Sequence, residues 1–545
     1  MKLVVNNLKL PVEHKENDIS KAVLKYLHID KSRLLGLKIL HKSIDARKGT
    51  VGYVYSVEVD VLSGEKLLNS KNYKNLSIAS KKQYQLAKRE YAGKPIIIGA
   101  GPAGLFCAYA CIEAGVSPII IERGSPVDIR KKDVDDFWET GLLKPNSNVQ
   151  FGEGGAGTFS DGKLNTLVKD KNGRCSYVME TFVKFGAPDN ILYDAKPHVG
   201  TDILIDVVRN MREYIKENGG EFLFDTQVVD IHLSNGKVSG VSAITADGGS
   251  IELASDRIVV AIGHSARDTF AMINAKGIAM EAKSFAVGFR IEHPRQFIDI
   301  TQYGLEYYEK LPAATYKLTA ETSSGRGVYS FCMCPGGYVV NASSEEKRLA
   351  VNGMSYSGRN GNNSNTALII TVTPDDFPKV GNEELPLAGI KFQRELEEKA
   401  YYLGNSKIPV QRFGEFKKRL GVSDNIVRSF SELDYLYESY SPENKGGHSE
   451  ADLTSLFPEE LNRSFVEAMT QFGNKIKGFD NPKAYLSGVE SRTSSPVRII
   501  RDESGCSTNI KGLYPCGEGA GYAGGITSAA MDGLYIAERI ISSNE

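Results

Sequence analysis

Through much of the chain, short runs of β-branched residues alternate with segments whose apolar residues repeat at the spacing of an α-helix. This order is typical of parallel strands joined by helices. The clearest instance is a buried strand at Ile96–Ile98, a helix over residues 103–114 and a second strand at Ile119–Ile121. A further apolar strand at 257–263 and a strand followed by a helix at 513–541 repeat the pattern. The pattern predicts an α/β fold built on an open parallel sheet.

The period of the pattern changes in two other parts of the chain. Alternation in Val51–Val61 and an amphipathic helix at Asp18–Leu27 predict a small α+β unit at the N-terminus. In the middle of the chain, short alternating segments predict a mostly antiparallel β-sheet that caps the parallel sheet and carries the substrate side. The expected organisation is a small basic α+β domain (1–65), a basic helical connector (66–93), a parallel-sheet domain in two parts (94–285 and 486–545) and a capping domain (286–485).

The first strand–helix–strand unit contains a glycine fingerprint. Gly99 permits a tight turn, Gly101 lets the backbone approach a pyrophosphate, and Gly104 lets the helix pack closely on the strand. The helix N-terminus then presents N–H groups to the phosphates. Glu122 ends the second strand, where its carboxylate can accept hydrogen bonds from both ribose hydroxyls, and Arg123 follows it. We therefore predict a dinucleotide site, and the negative charge of Glu122 disfavours NADP there.

Two later glycine clusters lie where further cofactor contacts are expected. Exposed N–H groups of such loops bind anions, and a second helix N-terminus follows the later cluster. The predicted contacts beyond the fingerprint are Gly154, Gly155, Gly157 and Ser160, then Gly263, then Gly517, Glu518, Gly524, Gly525 and Ile526.

The stretches GAGPAGLFCAYA, FGEGGAGTFSDGKLNT, VGFRIEHP, FCMCPGG, ESRTSSPVRI and GLYPCGEGAGYAGGITSAAMDGL resemble a family of largely uncharacterised bacterial FAD-dependent dehydrogenases. That family is similar to the flavoprotein superfamily of p-hydroxybenzoate hydroxylase and geranylgeranyl reductase. The resemblance spans residues 97–534 and implies FAD as the cofactor, held by a discontinuous Rossmann-like domain. It also implies that Glu518 replaces a family aspartate that holds the ribityl chain. It implies no particular substrate.

Several polar residues of the capping half are candidates for substrate contact. Arg290, His293 and Arg492 can bind an anionic substrate or stabilise a reduced flavin, although a structural ion pair is an equal alternative for each. Cys332 and Cys334 are one residue apart on an apparent strand, so we expect their side chains on the same face. The two thiols either line the substrate pocket or fill a core, and their spacing disfavours a disulfide.

The sequence also limits the chemistry of the site. No residue spacing typical of a metal site or a catalytic triad is present, and no catalytic residue is predicted. Only one glycine fingerprint follows a strand, so a pyridine nucleotide, NADH or NADPH, would have to dock transiently over the flavin, without a domain of its own.

Charge and cysteine content bear on partners and compartment. The 545 residues carry 66 Lys and Arg against 67 Asp and Glu, but residues 1–94 contain 19 basic and 9 acidic side chains. This excess leaves one alternative open, a flavin-carrying RNA-modification or RNA-binding factor, although no RNA-binding motif is present and a docking role is preferred. The seven cysteines show no disulfide spacing, and no signal or membrane segment is evident. The sequence therefore predicts a cytoplasmic oxidoreductase that acts on a small molecule through FAD.

Overall fold

The N-terminal unit is a four-stranded antiparallel sheet packed against one helix. A computed structural model describes residues 1–68, 73–79, 84–86, 93–377, 382–422 and 432–542 of the chain. The sheet has the strand order β2-β3-β1-β4, and its buried face shares a core with α1. The elements of this unit are β1 (Lys2–Pro11), α1 (Glu16–Leu27), β2 (Leu34–Asp45), β3 (Gly52–Val61), α2 (Gly64–Leu68) and β4 (Leu76–Ile78).

The predicted helical connector is wrong at Leu76–Ile78, because these residues pair with β1 as a sheet strand. The free edge of β1 accepts them, and tertiary pairing outweighs the helical preference of the lysine-rich sequence. The rest of this prediction falls partly on residues 69–72, 80–83 and 87–92, which lie outside the described residues.

The next part of the chain supplies four of the five strands of a parallel sheet, several helices and a separate antiparallel sheet of three strands. The three-residue strands are entirely apolar or nearly so, as expected for a parallel sheet buried on both faces. Its elements are β5 (Ile96–Ile98), α3 (Pro102–Glu113), β6 (Ile119–Ile121), α4 (Val127–Thr140), α5 (Arg174–Lys184), α6 (Thr201–Glu217), β7 (Glu221–Leu223), β8 (Thr226–Ser234), β9 (Lys237–Thr245), β10 (Ser250–Ala254), β11 (Ile258–Val260) and α7 (Arg267–Ala275).

The capping half forms a seven-stranded sheet in which every pairing but one is antiparallel. A large apolar core lies between this sheet and the helices α9 and α11. The elements are β12 (Met280–Ala282), β13 (Phe285–Pro294), α8 (Arg295–Tyr303), β14 (Thr319–Glu321), β15 (Gly327–Cys334), β16 (Tyr338–Asn341), β17 (Val351–Met354), β18 (Asn363–Val372), α9 (Ala388–Leu403), β19 (Ile408–Arg412), α10 (Phe413–Arg419), β20 (Asn444–Lys445), β21 (His448–Glu450), α11 (Glu459–Lys475), β22 (Tyr485–Glu490) and β23 (Val497–Ile499).

The chain then returns to the first sheet through β24 (Leu513–Pro515) and α12 (Ile526–Ser542). The completed sheet has five parallel strands in the order β24-β11-β5-β6-β7, so its two sequence-distant parts form one domain. The predicted fold class is confirmed: a discontinuous Rossmann-like domain, a mostly antiparallel cap and a small α+β unit.

Helix α3 is buried from Ala103 to Ile112 because it lies between the parallel sheet and α12. Two glycines permit this close packing. A Cβ atom on Gly104 would lie 1.9 Å from the carbonyl oxygen of Gly99, and one on Gly533 would lie 2.2 Å from that of Ala103. The helix can therefore begin immediately after the fingerprint turn without being pushed away from the strand.

We expect Gly104→Ala to destabilise the protein by about 1–3 kcal/mol, the range for overpacking a rigid interior. Alanine favours a helix by up to about 1 kcal/mol, but a backbone oxygen at 1.9 Å cannot move aside without displacing the turn. Urea unfolding measures the change. Gly327→Ala is the matched control, because no described atom lies within 4 Å of the added methyl group. Equal stability of the two variants would contradict the packing described here.

Candidate functional site

A cleft of about 320 Å³ follows the carboxyl ends of the parallel strands and extends beneath the cap sheet. We call this space the cleft. One end is lined by residues of the fingerprint turn together with Arg123, Thr226 and Val228. The other end is lined by Phe331 and Asn352 of the cap. Ligands of open α/β sheets bind at this edge, where loops from several strands meet.

The fingerprint turn has the geometry that its glycines predict. Gly99 has a φ of 102°, and a Cβ there would lie 2.5 Å from the carbonyl oxygen of Ala261. Gly101 lines the cleft, and α3 begins at Pro102, which has no N–H to leave unpaired. The helix N-terminus therefore meets the cleft, whereas Gly104 lies behind it as a packing residue.

Glu122 is buried and connects three segments of the chain. Its carboxylate accepts hydrogen bonds from the backbone N–H groups of Ala100 at 2.8 Å, Gly124 at 3.0 Å and Gly152 at 3.0 Å. A carboxylate has about four acceptor positions, so one remains for a ligand hydroxyl. Glu122 lines the cleft, and its contact with a ribose stays a prediction. Its larger structural role, holding these three turns together, was not expected from the sequence.

Arg123 also lines the cleft, and its guanidinium is fixed. It donates to both carboxylate oxygens of Asp268 at 3.0 and 2.8 Å and to Thr269, and it lies 4.5 Å from the ring centre of Phe151. The side chain therefore forms a rigid part of the cleft boundary.

A fully buried arginine shapes the first glycine cluster. Arg130 donates to the backbone carbonyls of Asn148 at 2.9 Å, Glu153 at 2.7 Å and Gly155 at 2.9 Å. Burial lowers the pKa of Arg130 to about 10, which leaves it charged at neutral pH. Arg130 was not predicted from the sequence, because IRKKDVDD has the pattern of an exposed helix. Only the fold shows that the first glycine loop surrounds the Arg130 side chain.

Within the first cluster the predicted contacts divide into two groups. Gly155, Gly157 and Ser160 line the cleft. Gly154 does not, and a Cβ there would lie 2.1 Å from the hydroxyl oxygen of Thr158. The Ser160 hydroxyl donates to the Gly157 carbonyl at 2.7 Å, which closes the turn.

The closing segment after β24 supplies the opposite side of the cleft. Glu518 lines it, and burial raises the pKa of this carboxyl group to about 7. Gly517, the preceding residue, does not line the cleft, and its N–H donates to Asp532 Oδ2 at 2.7 Å. Three other predicted contacts, Gly263, Gly524 and Gly525, line the cleft, and a Cβ added to any of them would have no described atom within 4 Å. Ile526 also lines the cleft as the first residue of α12.

The arginine and histidine candidates for substrate contact have structural partners. Arg492 lines the cleft, but it donates to both oxygens of Glu397 at 2.9 and 2.8 Å, which realises the ion-pair alternative. Arg290 is fully buried behind the cleft surface. His293 is buried in the cap core, where its Nδ1 lies 2.7 Å from the hydroxyl of Tyr437, and burial lowers its pKa to about 3.

The prediction of a regular strand through Cys332 and Cys334 is wrong, although the two thiols lie beside each other. The register between β15 and β18 shifts between Phe331 and Cys334, and Cys332 has a φ of 44°. This β-bulge breaks the alternation of side chains, because an extra residue enters one strand. Cys332 is partly exposed and lines the cleft, whereas Cys334 is buried behind it.

Several cleft residues were not predicted from the sequence, and His264 and Glu490 are two of them. His264 follows Gly263 directly, and Glu490 ends β22 beneath the cleft. Burial, together with the charges of Arg492 and Arg267, lowers the pKa of His264 to about 3, so this ring is neutral at physiological pH. His264 directly follows a buried strand, and Glu490 begins the family-like stretch ESRTSSPVRI, so each position gave a signal that could have been used.

Three parts of the chain match known families. Residues 94–130 match an FAD binding domain, residues 284–493 match the C-terminal domain-like region of an FAD-dependent protein, and residues 1–60 match a domain of unknown function. Over 549 residues, the chain is 43% identical to an uncharacterized protein of Clostridium beijerinckii, and the match covers 99% of each chain. The chain belongs to this bacterial family of FAD-dependent proteins. FAD is its cofactor, and oxidoreduction is its general class of chemistry.

Solved structures of other flavoproteins are more distant. An E. coli quinol fumarate reductase subunit is 13% identical with a TM-score of 0.33, and the match covers 82% of this chain and 70% of that one. A glycine oxidase from Bacillus cereus is 13% identical with a TM-score of 0.31, covering 83% and 96%. A flavin-dependent brominase is 12% identical with a TM-score of 0.35, covering 83% and 80%. At these values the likeness says nothing about the reaction.

The residues that line the cleft fit FAD. Glycines stand where the backbone must come close to phosphates, and the positions beside Gly263, Gly524 and Gly525 are open toward the cleft. The family matches give no support to the RNA-binding alternative. Across the described ranges, the helices include none that is long and apolar enough to cross a membrane.

We expect Glu122→Ala to lower the free energy of unfolding of the FAD-free protein by at least about 2 kcal/mol, because it leaves buried N–H groups unpaired. FAD affinity should fall by about 1.5–3 kcal/mol, the range for a charge-assisted hydrogen bond. Urea unfolding and FAD titration measure the two effects. Glu281→Ala, which removes an exposed ion pair with Arg498, is the control and should change neither. Full stability of FAD-free Glu122→Ala would mean that the three contacts do not hold the turns.

Proposed function

We propose that this FAD-dependent oxidoreductase is a dehydrogenase or reductase whose small organic substrate binds at the cap end of the cleft. One observation carries the proposal: a single cleft joins the glycine-lined cofactor end to a second end that is lined by both the Rossmann-like domain and the cap. Phe331 and Asn352 of the cap and Lys163 of the glycine loop all line the cleft. A small molecule bound there would lie under the cap sheet, largely out of contact with water.

Bound FAD supplies two-electron transfer chemistry at this site. The fingerprint turn, Glu122 and the N-termini of α3 and α12 would hold the dinucleotide. Lys163 would attract an anionic or carbonyl group of the substrate. His264, which is neutral, would offer one donor and one acceptor nitrogen without adding charge.

The charge at the substrate end favours an electron-rich ligand. Lys163 lies 3.3 Å from Asp161, but this buried carboxylate is also paired with Arg359 at 2.6 Å. Burial acts to raise the pKa of Asp161, and the charges of Lys163 and Arg359 outweigh it and lower that pKa. Two cations therefore share one carboxylate, and the Lys163 ammonium has no hydrogen-bond acceptor among the described residues.

The reductant or oxidant would reach the same cleft. Since only one fingerprint follows a strand, NADH or NADPH would bind transiently at the cap end and leave before the substrate enters. Phe331 is 36% exposed and lines this end, so its ring is available to stack on a planar ligand.

Anaerobic mixing of the yellow protein with NADH or NADPH tests the proposal. We expect the flavin absorbance to bleach at a rate that rises linearly with nucleotide concentration, because no separate nicotinamide site holds the reductant. Phe331→Ala should slow this step by about tenfold, since an aromatic contact is worth up to about 1.5 kcal/mol. Tyr402→Ala, which removes an exposed ring of α9, is the matched control.

Two results would contradict the proposal. A rate of flavin reduction that saturates at low nucleotide concentration would reveal a dedicated nicotinamide site. A flavin that neither nucleotide reduces, and that no small organic donor reduces in a screen, would remove the dehydrogenase or reductase assignment.

A further inference from the structure

The bulge at Cys332 is the most constrained part of the cap end. Phe331 lies opposite Ala367 and Cys334 opposite Asn365, so two residues of β15 face the single residue Thr366. The positive φ of Cys332 is uncommon for a residue other than glycine. Bulges beside binding sites commonly change the direction of a side chain, and here the bulge brings the thiol to the cleft.

A buried guanidinium imposes this conformation. Arg290 Nη2 donates to the Cys332 carbonyl oxygen at 3.0 Å, and Nη1 donates to Asn365 Oδ1 at 2.9 Å. Its Nε donates to Glu490 Oε2 at 3.0 Å. A left-handed residue costs about 1–3 kcal/mol and persists only where its surroundings fix it. Arg290, for which substrate contact and a structural ion pair were equal alternatives, pairs with Glu490 and positions the residue that reaches the cleft.

The charges around Cys332 come from the first glycine loop, from β13 and β22, and from the segment after β24. The neighbouring Cys334 thiol, then the cations Lys163 and Arg290, lower the pKa of Cys332 against the effects of burial and of Asp161. Glu490 and Glu518 face the same region, and burial raises the pKa of each to about 7. Cys334 has the opposite shift, since burial and the Cys332 thiolate raise its pKa well above the usual range. The two shifts are opposite, so Cys332, whose sulfur reaches the cleft, loses its proton more readily than Cys334.

We propose that Cys332 is the proton-transfer residue of the cleft, with Lys163 as the group that stabilises its thiolate. The inference rests on the proposed function and adds the residue that handles the proton. When a substrate carbon bearing an O–H or N–H group is oxidised, that O–H or N–H bond breaks and an S–H bond forms at Cys332 Sγ. The hydride from the same carbon goes to the two-electron acceptor of the proposed reaction. In the reductive direction both steps reverse. The substrates that fit are alcohols or amines, and the matching carbonyl or imine compounds, with an anionic or carbonyl group placed for Lys163.

Alkylation of the FAD-loaded protein by iodoacetamide, located by peptide mass spectrometry across a pH series, tests the thiolate. An ordinary thiol has a pKa near 8.5, so lowering it by one unit gives about tenfold more thiolate at pH 6.5. We expect Cys332 to react at least about tenfold faster at that pH than Cys175 or Cys506, whose pKa values are raised, chiefly by burial.

Variants of Lys163 test its role. Lys163→Met should move the Cys332 alkylation profile to higher pH, whereas Lys163→Arg should leave it nearly unchanged. Lys169→Met, an exposed lysine near the end of the same loop, is the matched control. FAD content and the unfolding temperature show whether each variant is folded, and the arginine variant keeps the test valid if the methionine variant is not.

The proton role is tested by Cys332→Ser in a screen of alcohols and amines against the FAD-loaded protein. The variant should retain FAD, but lose substrate oxidation by about a hundredfold, the lower range for general acid–base catalysis. Reaction of Cys332 no faster than Cys506 at pH 6.5, or undiminished oxidation by Cys332→Ser, would overturn the inference. Failure of the proposed function is separate, since it would appear as a flavin that no donor reduces in the unaltered protein.

Discussion

The carboxylate of Glu122 is the contact on which the cofactor end depends. It accepts hydrogen bonds from backbone N–H groups of the fingerprint turn, of the residues after β6 and of the first glycine loop. These three segments are separate in the sequence. Loops rich in glycine lose much conformational entropy when they become ordered. A buried acceptor shared by three N–H groups offsets part of that cost. Arg130 does the same from the opposite side by binding the carbonyls of the loop. The phosphate-facing surface can therefore be ordered before any ligand arrives.

The cap contributes a second, independent constraint. Arg267 of α7 and Arg492 both pair with the buried Glu397 of α9, so the Rossmann-like domain and the cap share one ion-pair network. Such a network fixes the distance between the two halves of the cleft, since separating them would leave buried charges unpaired. Two cations share Asp161 on the other side of the cleft. The substrate end is thus held by ion pairs on both sides.

Much of this architecture could be predicted from the sequence because it rests on local patterns. The β-branched runs, the fingerprint and the strand-to-helix junction at Ile526 each carry their own signal, and the resemblance to FAD-dependent proteins added the cofactor. The helix predicted at Leu76–Ile78 was wrong because these residues pair with the free edge of β1, a strand that is distant in the sequence.

The site residues also divide into those with a local sequence signal and those whose position depends on distant segments. Gly101, Gly155 and Gly525 line the cleft, and they were selected because glycine is needed where backbone comes close to a ligand; their contact with FAD stays a prediction. Arg130 was missed because its burial is decided by distant segments. The bulge at Cys332 was missed because the alternation of a regular strand was extended through it, although Pro335 and two glycines follow directly.

The central claim is that FAD occupies the cleft, from the fingerprint turn to the cap. A crystal structure of the protein as purified tests it most directly. We expect electron density for the dinucleotide along the N-terminus of α3, with the flavin at the end lined by Cys332 and Asn352. Electron density for FAD outside this cleft, or a flavin ring facing away from the cap, would contradict it.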